Sequence, residues 1–385
     1  MTLQTCFGSE MELYDFIPVQ TEYPKETSFL YAPEPIGIGT PFVESLASYF
    51  IRLSAAHMLT PSAMLKLAIA PQLPKRHQNF KNTIGLQSIV INMSGIGSEA
   101  EIMVDVLEQL TGRTDLTQLT MLPFAAMLAK YELLSQTSSW CPYCFEQQRT
   151  LGQPIYLPLI WSLRTLRKCP IHRCNLWMVC PHCKTVPPVI GSRTVNGYCN
   201  KCQGWLGRKA NKSPKTDKKN FFIRLFEWQN SVGFKREQQT FPSILGYLMG
   251  KHMKKKDTAS MASLLHLPES IIEDQLANKM LPALGVVFWI GHVFKIDPFD
   301  ILTKDGEEMA AKDLEESAKI GQIMFDMNRI NWKQLEELLR DVANGRASAM
   351  RVEDIARVYR CPLKEIIARY PEMCCNITNR FKKQF

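Results

Sequence analysis

Cys141-Pro-Tyr-Cys144, Cys169-Pro-Ile-His172, Cys180-Pro-His-Cys183 and Cys199-Asn-Lys-Cys202 decide how this chain is read. Seven cysteines and one histidine fall into four pairs with the same two-residue spacer. Such a spacer lets one tight turn aim two side chains at a single tetrahedral ion. The last two pairs are fifteen residues apart, inside the range of a zinc site. Three pairs carry proline after the first ligand, where its fixed φ helps shape the turn. Eight donors make two closed shells, the structural pattern; a catalytic zinc keeps one position open. The sequence therefore predicts two structural zinc ions held by Cys141, Cys144, Cys169, His172, Cys180, Cys183, Cys199 and Cys202.

Twelve cysteines in 385 residues are too sparse for a small disulfide scaffold. The start of the chain shows no basic-then-apolar signal segment, so reduced thiols in a reducing compartment are expected. Two pairings of the ligands stay open. Sequential pairing joins the first pair to the second and the third to the fourth. A cross-braced pattern joins first to third and second to fourth. The sequential pattern is favoured because the short inner spacing closes a compact knuckle. Cys174 and His182 lie off the repeating spacing and read as bystanders. Cys6, Cys361, Cys374 and Cys375 have no partner spacing and read as structural thiols.

Net charge is +9, and its position says more than its size. Residues 201–256 hold fourteen Lys or Arg against Asp217, Glu227 and Glu237, which is +11, so the rest of the chain sums to −2. Localised positive charge reads as a polyanion surface. The candidate nucleic-acid contacts are Lys209, Lys212, Lys215, Lys218, Lys219, Lys254, Lys255 and Lys256; a solvated linker is the competing reading. The longest apolar run, Leu281 to Phe294, contains Pro282 and His292 and falls short of the ~20 residues a bilayer needs. No membrane span is expected.

The predicted fold class is mainly α, with a helix-turn-helix region, tandem zinc knuckles and a helical C-terminal domain. Residues 1–40, with Pro18, Pro24, Pro33 and Pro35, read as an extended arm. Thr40-Pro41 reads as a helix start with Glu44 in the first turn, and Phe42, Leu46, Tyr49, Phe50 and Leu53 mark one face. Thr60-Pro61 opens a second short helix, so residues 41–135 hold a candidate helix-turn-helix. Ser98 and Glu101 form a capping-box pattern for the next helix. Residues 136–207 form the metal region, in which Tyr156, Leu159 and Trp161 are expected to pack between knuckles, a helix running into Cys169 being the alternative. Residues 208–220 read as a basic linker. Residues 221–385 are helical in pattern, including an acidic stretch from about Gly306 to Lys319. A last hairpin, Val352–Tyr359 then Leu363–Tyr370, again resembles a helix-turn-helix, with packing as its expected role.

Glu44-Ser45-Leu46-Ala47-Ser48 with Arg52-Leu53, followed by the four metal pairs in this order, resembles the TniQ/TnsD family of transposon target-selection proteins. The resemblance covers roughly residues 34–205. It implies a non-catalytic adaptor that joins a target-bound complex on DNA to a AAA+ ATPase regulator of transposition. Chain length is similar to the CRISPR-associated branch, whose members often dimerise. The alternative is a TnsD-like protein that reads an attachment site directly. The implied partners are DNA, the AAA+ regulator, a CRISPR effector complex and a second copy of the chain, in the bacterial cytoplasm at the nucleoid. The arm of about thirty residues is longer than the family leads one to expect. An enzyme reading finds no H-E-x-x-H, no H-x-E…C-x-x-C and no phosphate-binding loop.

Overall fold

The computed structural model describes residues 28–73, 89–210, 214–232, 234, 240–253, 257–310, 332–345, 351–359, 361 and 363–384. Cys6, most of the expected arm, Lys212, Lys254, Lys255, Lys256 and the second half of the expected acidic helix lie outside them. Among the described residues the chain is mainly helical and forms no strand, only isolated antiparallel bridges.

Helix α1 (Leu46–Ala56) starts later than Thr40-Pro41 suggests. Ser45 is its N-cap and accepts the Ser48 N–H at 3.2 Å. Thr40 instead closes a turn onto Gly37 O, where Gly37 and Gly39 take left-handed φ. Residues 43–45 stay extended because they are paired across the chain: Leu159 N–H reaches Val43 O at 2.7 Å and Ser45 N–H reaches Leu157 O at 3.0 Å. Tertiary hydrogen bonds have overridden a good local capping signal. Leu46, Tyr49, Phe50 and Leu53 are fully buried, with Leu46, Phe50 and Leu53 each contributing about 1.5–3 kcal/mol.

Met58, in the left-handed region, turns the chain. Thr60 then caps α2 (Pro61–Met64) through the Ala63 N–H, as the Thr60-Pro61 signal predicts. The second helix does not stay regular. It passes into a π turn at Leu65–Ile69 and a 3₁₀ turn at Ala70–Gln72. Helix α3 (Ser98–Thr111) is capped by Gly97 at φ 146° rather than by Ser98. The Ser98 hydroxyl lies against Glu99, so no capping box forms.

Helix α4 (Pro142–Thr150) opens the metal region. A 3₁₀ turn at Leu159–Ser162 follows, which buries Leu159 and Trp161, and no helix runs into Cys169. Then come α5 (Phe221–Gln229), α6 (Phe241–His252), α7 (Thr258–Leu265), α8 (Glu269–Leu276), α9 (Leu284–Phe294) and α10 (Pro298–Thr303). One buried cluster runs from Leu30 to Met309 and unites the N-terminal helices, the metal region and α5–α10. Phe124 joins them, with its ring edge-on to Phe226 at 5.7 Å.

The last helices, α11 (Trp332–Ala343), α12 (Val352–Tyr359), α13 (Leu363–Arg369) and α14 (Pro371–Gln384), bury a second cluster of their own. Ala356 and Cys361 are buried at the α12–α13 turn, where Cys361 N–H donates to Ala356 O. Met178, Val179 and Val186 of the metal region pack against this bundle. The segment 221–385 thus feeds two cores.

Candidate metal centres and their basic surround

Three of the four pairs share one local design. After His172, Cys183 and Cys202 the chain enters the left-handed region at Arg173, Lys184 and Gln203, with φ of 55°, 57° and 56°. Each of these residues returns its N–H to the carbonyl of the first ligand: Arg173 to Cys169, Lys184 to Cys180 and Gln203 to Cys199, at 2.8–3.1 Å. The next carbonyl, of Cys174, Thr185 or Gly204, accepts the N–H of that first ligand. The result is a closed knuckle with both donors on one side. Left-handed φ is unfavourable for Arg, Lys and Gln, and nothing in the spacing announced it.

The Cys141/Cys144 pair is built differently. Cys141 is the N-cap of α4, and its carbonyl accepts the Phe145 N–H within the first helical turn. Pro142 sits at the first helical position, where a missing N–H costs nothing. Proline after the first ligand therefore does not mark the knuckles: one such pair opens a helix, and Cys199-Asn-Lys-Cys202 makes a knuckle without it.

The donors gather into two groups. Cys141, Cys144, Cys169 and His172 form the first, Cys180, Cys183, Cys199 and Cys202 the second, each with all donor atoms within 4.8 Å. This is the sequential grouping. A tetrahedral shell at 2.3 Å per thiolate puts sulfurs about 3.8 Å apart, and a sulfur and an imidazole nitrogen about 3.5 Å apart. Observed separations are 3.6 Å for Cys144–Cys169, 3.7 Å for Cys180–Cys202 and 3.6 Å for Cys183–Cys199. His172 turns Nδ1 toward Cys141, Cys144 and Cys169 at 3.6, 3.2 and 3.9 Å. These are shell distances, far from the ~2.05 Å of a disulfide. The donor sets S₃N and S₄ suit a soft divalent ion.

Cys174 rests its sulfur 3.5 Å from Cys141 yet stays outside the four-donor group. His182 turns away from the second group: its Nε2 meets Trp205 O at 2.8 Å and its ring packs on Gly204. Both sit beside a shell and belong to neither.

A polar network that spacing did not reveal ties the two centres together and to α1. Trp205, three residues after Cys202, donates Nε1–H to Glu146 at 2.8 Å, two residues after Cys144. Arg149 pairs with the other Glu146 oxygen and lies over the Trp205 ring. Arg149, with Trp205, holds the Glu146 carboxyl below its usual range. Asn196, between the ligand pairs of the second centre, donates to Ser48 O and Oγ at 3.2 and 2.9 Å. Ser48 Oγ donates on to Glu44, and Leu157 N–H donates to Ser48. Fully buried Glu44 takes Arg52 in a two-point contact at 2.9 Å, plus the Ile36 N–H. Burial pushes the Glu44 carboxyl upward, against the pull of Arg52, Ser48 and Ile36. The Glu44-Ser45-Leu46-Ala47-Ser48 signature with Arg52 is therefore a buried joint between α1 and the metal region, not a reading surface.

Of the basic candidates, Lys209, Lys215, Lys218 and Lys219 are described and exposed. They are not on a free linker. Arg208 N–H donates to Pro142 O at 2.9 Å, Lys215 N–H to Ile171 O at 3.0 Å and Asp217 N–H to Pro170 O at 2.9 Å. Residues 208–210 and 214–217 are thereby tied to backbone next to the first-centre ligands. Among the described residues no helix is long and apolar enough to cross a membrane.

The fold and site define a mainly helical protein with two four-donor groups whose geometry fits metal binding. Residues 35–176 match the TniQ family model, while no curated protein matches the chain. The match runs from ahead of α1 through the whole first centre and ends before Cys180, so the second centre lies beyond it. Over that span the chain is similar to TniQ.

Proposed function

We propose that the protein is a non-catalytic target-selection adaptor of DNA transposition, and that each centre holds one structural zinc ion. The match over residues 35–176 carries this reading. The two centres support it chemically: four protein donors per group complete a tetrahedral shell and leave no position for a reacting water. Binding zinc there adds folding free energy and sets the angle between the helical units. In this reading the adaptor joins a DNA-bound, RNA-guided CRISPR complex to a AAA+ transposition regulator, acting as a homodimer at the bacterial nucleoid.

Co-purification decides it. The tagged full-length chain should capture the AAA+ regulator, and with it a CRISPR effector assembled on guide RNA. Failure to retain either, together with strong preference for one attachment-site duplex over scrambled DNA, overturns the adaptor reading in favour of direct site recognition. Elemental analysis should give two zinc ions per chain.

A further inference from the structure

We propose that the duplex-DNA contact face is the basic strap formed by residues 208–210 and 214–219, tied down beside the first-centre ligands, rather than the α1–α2 hairpin. The inference rests on the DNA-associated reading above and assigns that contact to a place.

The strap is fixed at both ends to residues adjacent to ligands. Its entry is held at Pro142, next to Cys141, and its exit at Pro170 and Ile171, between Cys169 and His172. Asp217 is turned to local use: its carboxylate accepts the Lys219 N–H at 3.2 Å and its carbonyl accepts the Asn220 N–H at 2.9 Å. Asn220 then caps α5 through the Phe222 N–H. With the backbone committed in this way, Arg208, Lys209, Lys215, Lys218 and Lys219 are exposed, and the first-centre knuckle adds exposed Arg173. Among the described residues no carboxylate forms an ion pair with Arg173, Lys215, Lys218 or Lys219. Charges anchored on a rigid backbone lose less freedom on meeting phosphates than the same charges on a loose tail.

The strap favours a duplex backbone because its cations come with no aromatic face for unpaired bases. No aromatic residue occurs between 208 and 219. Trp205, three residues earlier, is enclosed: a Cβ on Gly197 would lie 2.5 Å from its ring, and one on Gly207 2.4 Å. Aromatic faces are the main platform for unpaired bases, whereas phosphate contacts to a duplex need none. The α2 segment is a poor rival. Its exposed residues include a single cation, Lys66, beside Leu67, and the helix is broken by its π turn.

The test is anisotropy titration of the full-length, metal-loaded protein on a random-sequence duplex between about 50 and 200 mM salt. Each phosphate contact contributes about 0.9 to the slope of log K against log salt. The Lys209→Gln/Lys215→Gln/Lys218→Gln/Lys219→Gln variant should lose about 3.6 of slope and at least tenfold in affinity at the lower salt. Lys218→Gln/Lys219→Gln should lose roughly half that slope, which guards against a folding artefact in the larger variant. Lys66→Gln should leave the slope unchanged, where a phosphate contact there would cost about 0.9. An unchanged slope in the fourfold variant, an equal loss in Lys66→Gln, no measurable wild-type binding, or tighter wild-type binding to single-stranded RNA of the same length would each overturn the proposal. Capture of the AAA+ regulator without DNA is the separate readout of the adaptor reading. Lost capture with the strap-dependent slope intact removes that reading and keeps the strap assignment.

Discussion

The two metal centres use nearly the same donors but are embedded in opposite ways. The first couples a helix start to one knuckle, and its three cysteines are buried, in the midst of the main core. The second sets two knuckles against each other, and Cys202 is exposed. Its neighbours include the C-terminal bundle: Met178 and Val179 lead into Cys180, and Lys184 lies 3.9 Å from Asp341. Both centres belong to the main core, the second through Cys180 and Cys199, and what sets the second apart is its added contact with the C-terminal bundle and its exposed Cys202. The TniQ match includes the first centre and stops short of the second.

That contrast can be broken most severely at the first centre. Cys169→Ser should abolish cooperative melting, because structural zinc contributes on the order of 10 kcal/mol to folding; a sharp transition with two ions bound per chain would refute the buried role. Cys202→Ser should be milder in extent. One ion should remain by elemental analysis, the main core should still melt cooperatively, and limited proteolysis should now release the 332–384 bundle. If both variants behave alike, the two centres form one cooperative unit and the comparison fails.

The buried joint is next in magnitude. Glu44→Gln leaves the Arg52 charge without its counter-ion, and loss of one partner of a buried pair costs roughly 3–5 kcal/mol. Denaturant melts should show that loss with both ions still bound, separating the joint from the centres. Asn196→Ala removes the link from the second centre to Ser48 and should cost about 1–3 kcal/mol. Its melting should fall without release of the C-terminal bundle. Gly197→Ala is expected to sit in the same range, since alanine at φ 84° is strained and its Cβ would strike Trp205. A neutral result at Gly197 would mean that Trp205 can move away from Glu146.

The members of the two donor groups were legible because a C-x-x-C turn is local: two residues of spacer suffice to place two donors. Helix starts were legible where no distant partner competed, as at Thr60-Pro61, and misleading where one did. Thr40-Pro41 has the right chemistry for a cap, but residues 43–45 gain more by pairing with 157–159. Ser98 lost its cap to Gly97, whose positive φ no periodicity reveals. The basic segment looked like a linker because polar, proline-containing sequence usually is one; three backbone hydrogen bonds to loops about 45–65 residues earlier in the chain make it a strap.

By itself, the order of residues determined a mainly helical chain with four donor pairs and positive charge collected between 201 and 256. Only the tertiary structure decided which pairs share a group, that Glu44 and Arg52 are a buried joint, and that the backbone of Arg208, Lys215 and Asp217 is tied down beside the first-centre ligands. The physical reason is range. Turn chemistry and helical period act within a few residues, whereas burial and cross-chain hydrogen bonds depend on which distant segments the folded core brings into contact.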